Sequence, residues 1–129
     1  MSNIVLDASA ALAMILNEPG GEKVKALLRA QTASVAMSSV NWCEVITRLQ
    51  RDSPIMDAKK LTSMLPGVEV VVFGQIDAEA AAEFAKTLSA LSLGDRACLA
   101  LASERGATAW TTDKLWSKAK VGVKIEVLR

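Results

Sequence analysis

Four acidic residues stand where the chain pattern lets them do chemistry: Asp7 in VLDASA, Glu44 in NWCEVI, Asp95 in LGDRAC and Asp113 in TTDKLW. Asp7 closes a short apolar run that reads as a strand, and Asp113 follows another. In an open parallel sheet, ligands bind in the crevice beyond the carboxyl ends of the strands, so both are in position for a site. Each also reads as a helix cap or turn residue. Asp95 opens a helical segment with Cys98, Leu99 and Ala102 behind it at helical spacing, so it heads an apolar stripe and faces inward. A helix N-terminus alone would also stabilise such a charge. Glu44 has the weakest position. On a helical wheel it lies opposite Trp42, Ile46 and Leu49 and beside Arg48 and Arg51, which predicts a surface pair with Arg48.

The chain has no histidine and no tyrosine. Zinc sites built on histidine, Ser-His-Asp triads and histidine general bases are therefore excluded, and acid-base or metal chemistry falls to carboxylates. Carboxylates gathered at roughly 4 Å repel by about 4 kcal/mol per pair at an effective dielectric near 20. A divalent cation removes that cost. Oxygen-only ligands suit magnesium or manganese, and such an ion makes water more acidic and offsets charge on a phosphate oxygen, which allows phosphodiester hydrolysis without histidine. Thr111 and Thr112 add hydroxyls that can hold a carboxylate or a water. Without a metal, at least one clustered carboxylate is expected to hold a proton or meet a basic side chain.

The elements that must carry these residues alternate. Strands are predicted over residues 3–6, 34–37, 68–73, 107–111 and 123–128. The valine-rich Val68 to Phe73 is the clearest, because β-branched side chains fit a pleated, buried surface. Helical stretches lie between them: 8–16, 22–30, a segment from Ser38 or Ser39 to the Ser53-Pro54 break, 57–65, 77–88, 93–105 closed by Gly106, and one or two turns over 114–119. Strands separated by helices predict an α/β fold, a parallel central sheet of four to five strands flanked by helices on both faces.

The 129 residues are the size of one domain, 1–129, and 51% hydrophobic with 22% charged residues is a globular balance. No apolar run approaches the roughly 20 residues that cross a bilayer, and MSNIVLDASA lacks a secretory pattern, so a cytoplasmic protein without membrane contact is expected. A net charge of +1 argues against a global field for coating nucleic acid. Cys43 and Cys98 belong to no CxxC pair and read as reduced core residues.

The segments VLDASAALA, SSVNWCEVITRL, LSLGDRACLALA and ATAWTTDKLW, in this order, resemble the PIN-domain nucleases, and most closely the VapC toxins of bacterial toxin-antitoxin pairs. The similarity spans nearly the whole chain. It implies a PIN-like fold in which Asp7, Glu44, Asp95 and Asp113 bind magnesium or manganese and cleave RNA, often tRNA or rRNA. It further implies a homodimer and a VapB-like antitoxin that covers the site. Ser9 and Thr112 match the family's hydroxyl positions and are expected to orient a carboxylate or water. Arg96 and Lys114, beside two of the acids, are either surface charges or contacts to RNA phosphate.

Two other classes compete. A phosphotransfer enzyme of the haloacid dehalogenase type needs a second aspartate two residues after the first, where this chain has Ser9. A catalytically inactive PIN-like interaction module would not need all four acidic positions filled, as they are here.

Overall fold

A computed structural model describes residues 2–118 and 120–129. The elements run β1 (Ser2–Leu6), α1 (Ala8–Ile15), α2 (Gly21–Ala30), β2 (Ala33–Ser38), α3 (Ser39–Gln50), α4 (Ala58–Met64), β3 (Val68–Val71), α5 (Gln75–Phe84), α6 (Leu93–Arg105), β4 (Thr108–Thr111), a 3₁₀ helix (Lys114–Lys118) and β5 (Ile125–Val127). The five strands form one parallel sheet in the order β3-β2-β1-β4-β5. The chain leaves β1 in one direction and returns to its other side at β4, so the crevice where the winding reverses lies between the carboxyl ends of β1 and β4.

Side-chain alternation along the strands sorts the core into two layers. Ile4, Leu6, Val35 and Met37 pack with α1, α2, α3 and α4 residues such as Ala10, Val24, Val45 and Leu61. Val5, Ala36 and Ala109 face the other way, onto Cys98, Leu99, Leu101 and Ala102 of α6 and onto Trp116. Continuing that period, Asp7 shares its parity with Val5, and Thr111 with Ala109. Both therefore belong to the α6 side of the sheet.

Local chemistry sets the boundaries. Asp7, Ser38, Asp57 and Ser92 cap α1, α3, α4 and α6. Gly106 ends α6 at φ 58°, the left-handed conformation anticipated for it. The expected helix over 77–88 begins two residues earlier, at Gln75, because Asp77 caps from inside the first turn, accepting from Gly74 N at 2.8 Å. The helix ends at Phe84.

β3 corrects another expectation. It is an edge strand with Val70 38% exposed, and Val72 beyond it is 78% exposed, so its valines mark an open margin and not a buried interior. Cys43 is likewise exposed, whereas Cys98 is buried as expected. Among the described residues no helix is long and apolar enough to cross a membrane.

Candidate active site

Asp7 is the anchor of the crevice. Its carboxylate is 4% exposed and accepts three hydrogen bonds: from Ser9 Oγ at 2.7 Å and Ala10 N at 2.8 Å on Oδ1, and from Thr111 Oγ1 at 2.7 Å on Oδ2. The two hydroxyls are themselves fixed from behind. Thr112 N donates to Ser9 Oγ and Asp113 N donates to Thr111 Oγ1, each at 3.0 Å. Each hydroxyl has one proton and gives it to Asp7, so the 3.3 Å approach of Ser9 Oγ to Thr111 Oγ1 is a contact between two spent donors.

Ser9 Oγ donates to the Asp7 carboxylate. Of the two threonines, Thr111 gives Asp7 its hydroxyl and Thr112 gives Ser9 Oγ its backbone N–H. Strand alternation carried the signal, because Thr111 lies two residues beyond the inward-facing Ala109.

Burial pushes the Asp7 carboxyl up from 3.8 to about 6, against the lowering effect of its three donors, and the Asp95 charge adds to the rise. No Lys or Arg pairs with Asp7 among the described residues.

Asp95 sits half-buried in the first turn of α6. It forms a capping box with Ser92: Asp95 N donates to Ser92 Oγ at 3.1 Å, and Ser92 N donates to Asp95 Oδ2 at 2.9 Å. Beneath it, the buried Cys98 thiol is raised well above its ordinary range by burial and then by the charges of Asp7, Asp95 and Glu44. The charges of Asp7 at the cap of α1, of Asp95 on α6 and of Glu44 on α3 thus all act on one buried thiol.

Glu44 reaches this group against the helical-wheel expectation. Arg48 pairs with Asp52 at 3.1 Å and not with Glu44. The Glu44 carboxylate instead lies over Gly94, where even a Cβ would collide with both of its oxygens. Asn41, one helical turn before Glu44 and 1% exposed, donates from Nδ2 to Glu44 Oε1 at 2.9 Å and to the Gly94 carbonyl at 3.0 Å. Asn41 and Gly94 were missed from the sequence. Asn41's place three residues before Glu44 was the available signal.

Asp113 stands at the same sheet edge but apart from the other three. It is exposed, and its Oδ1 accepts from Leu115 N at 2.9 Å, capping the 3₁₀ helix. Lys114 is exposed beside it. Arg96 turns away toward α5, its guanidinium 3.4 Å from the Ala81 carbonyl, with Nε buried and unpartnered.

As the side chains stand, no three His, Cys, Asp or Glu groups among the described residues are close enough to ligate one ion, so the four carboxylates are not a ready-made cage. The donor chemistry nevertheless fits a hard divalent cation. Every candidate ligand is a carboxylate oxygen, one of them is buried without a counter-charge, and like charges accumulate around it.

The fold and this site can be set beside known proteins. No curated protein matches the sequence. Among solved structures, the chain is similar to a toxin-antitoxin complex from Klebsiella pneumoniae, with TM-score 0.75, 16% identity and 98% of each chain covered. It is also similar to VapBC2 from Rickettsia felis bound to promoter DNA, with TM-score 0.71, 16% identity, and 96% of this chain and 97% of that one covered. A third likeness is to VapC20 of Mycobacterium tuberculosis, a toxin described as cleaving the sarcin-ricin loop, with TM-score 0.68, 20% identity, and 88% and 92% covered. At these identities the likeness carries the fold. A family model described as the PIN domain matches residues 4–122, and the chain belongs to the PIN-domain family.

Proposed function

We propose that this protein is a divalent-metal-dependent endoribonuclease and the toxin of a toxin-antitoxin pair, acting on RNA in the cytoplasm. The observation that carries the reading is a buried Asp7 carboxylate, held by three donors and paired with no Lys or Arg among the described residues, at the switch point of a PIN-domain sheet. The toxin assignment draws on the solved neighbours, which are VapBC and other toxin-antitoxin proteins.

In this reading Asp7, Asp95 and Glu44 hold magnesium or manganese, with Asp113 joining from the exposed rim. When bound, the cation supplies acidity to water and offsets charge on the scissile phosphate. Ser9 and Thr111 hold Asp7 in one orientation, which limits the side-chain entropy lost on binding. Asp95 Oδ2 stays on the Ser92 amide and leaves Oδ1 free among the described residues. Lys114 is available for RNA phosphate, whereas Arg96 is committed to α5.

An antitoxin partner has a surface to cover away from the carboxylates. A groove of about 610 Å³ between α1, α2 and α4 is lined by Met14, Ile15, Leu28 and Met64, with Lys25 and Arg29 alongside. Val72, Ile76 and Leu93 are exposed apolar residues that a second copy would shield in a homodimer.

The absence of a preassembled cage favours one alternative, an inactive PIN module that acts by binding alone. A single experiment separates the two. Purified protein incubated with structured RNA is expected to cleave it with Mg²⁺ or Mn²⁺ and to stop in EDTA. Cleavage that persists in EDTA contradicts the metal mechanism, and no cleavage with either ion favours the inactive module.

A further inference from the structure

We infer that Asn41 is a positioning residue for Glu44, a role that rests on Glu44 belonging to the nuclease site. Its amide joins two helices at one point. Nδ2 donates to Glu44 Oε1 within α3 and to the Gly94 carbonyl at the start of α6. Both partners are pure acceptors, so the orientation of the amide is unambiguous: nitrogen toward the site, oxygen away.

That orientation comes at a cost. Asn41 Oδ1 is buried without a partner, and a buried acceptor left unsatisfied is unfavourable. Asn41 stands in the first turn of α3, where its side chain makes no cap bond and is spent on Glu44 and Gly94. Helix capping does not explain an asparagine here. The need for two donors on one nitrogen does. Serine has one proton, aspartate has no donor when charged, and glutamine would need room for another methylene in a site that is 1% exposed.

The consequence is positional. Glu44 is exposed on α3 and has three rotatable bonds to fix. The Asn41 amide holds its carboxylate over Gly94, which lacks the Cβ that would exclude it, and beside the first turn that carries Asp95. Asn41 thereby positions the α3 carboxylate relative to the start of α6.

The test is a double-mutant cycle with two independent readouts. In RNA cleavage with Mn²⁺, Asn41→Ala is expected to lower kcat about 10- to 100-fold with KM within about threefold of the parent. In a Glu44→Gln background the same substitution is expected to change kcat less than about twofold, because its target is already lost. Asn41→Asp, of the same shape, is expected to fare no better than Asn41→Ala, and Asn41→Ser, with one donor, to fall between it and the parent. Asn41→Ser also serves if Asn41→Ala does not fold. Losses that multiply across the cycle, or an Asn41→Ala protein that cleaves like the parent, overturn the role.

The second readout needs no activity. In EDTA, the midpoint shifts on urea unfolding of Asn41→Ser and Glu44→Ala, the second of which removes the acceptor that a glutamine would keep, are expected to be non-additive. Additive shifts overturn the Asn41–Glu44 link even if the parent never cleaves RNA, whereas non-additive shifts with an inactive parent uphold the link and sink only the nuclease reading.

Discussion

Thr111 Oγ1 gives its proton to Asp7 Oδ2 at 2.7 Å, joining two residues 104 positions apart across the central β1–β4 pair. Thr111→Val keeps the shape and removes that donor along with the acceptor for Asp113 N. RNA cleavage is expected to fall about 10- to 100-fold. Thr112→Val keeps the one group Thr112 contributes, its N–H, and should stay within about threefold of the parent. Equal losses from the two substitutions would show that the hydroxyl on Asp7 is not what matters.

The burial of Asp7 predicts a pH dependence with a definite sign. Its carboxyl rises from 3.8 in the unfolded chain to about 6 in the folded one, so between those values the folded state binds the extra proton. Stability contributed by this group falls as pH rises through that window, and the full cost, about 3 kcal/mol at 1.36 kcal/mol per pH unit, is present above it. Asp7→Asn removes the titration. Measured by urea unfolding in EDTA, its stability relative to the parent should climb from pH 4 to pH 6.5 and then level. A difference that is flat across that range would contradict the burial argument. Adding Mn²⁺ above pH 7 should stabilise the parent and leave Asp7→Asn nearly unchanged.

Gly94→Ala tests the seat of Glu44. The new methyl meets the mobile end of Glu44 rather than backbone, so the carboxylate can move aside and the fold should persist. Thermal unfolding is expected to shift by only a few degrees while cleavage drops about tenfold or more. Loss of both together would mean that the glycine serves packing alone.

The two cysteines should differ in solution as they do in place. Cys43 is exposed, and Cys98 is buried, with burial first and then the charges of Asp7, Asp95 and Glu44 raising its thiol well above the ordinary range. A thiol reagent at pH 8 is expected to titrate one cysteine in the native protein and both after denaturation. Two fast-reacting thiols in the native state would contradict the burial of Cys98.

Much of the fold was legible because strand and helix periods are local. Apolar runs ending at Asp7 and before Asp113, and the caps at Ser38, Asp57 and Gly106, are written in a few adjacent residues. Asp7 and Asp95 could be selected as inward-facing on that basis. Glu44 could not, because a helical wheel refers each residue to its own helix's apolar stripe, whereas the Asn41–Gly94 hydrogen bond brings α6 alongside α3 at a second face. The same limit hid Arg96, whose partner carbonyl at Ala81 is 15 residues away in another helix. β3 misled for a different reason. Its valines report β-propensity, which does not distinguish a central strand from an edge. Thr111 and Thr112 were both candidates as hydroxyls, and alternation from Ala109 is what singles out Thr111 as the one on the Asp7 side.

The ribonuclease reading is tested most directly by comparing the parent with Asp7→Asn, purified identically, on one structured RNA with Mn²⁺. A shared trace nuclease would cleave in both preparations, so the comparison isolates this site. The parent is expected to cut and Asp7→Asn to lose cleavage by about a thousandfold or to background, a loss of about 4 kcal/mol in transition-state stabilisation, while circular dichroism shows both folded. Cleavage by folded Asp7→Asn at the parent's rate would contradict the assignment of the carboxylate crevice as the active site.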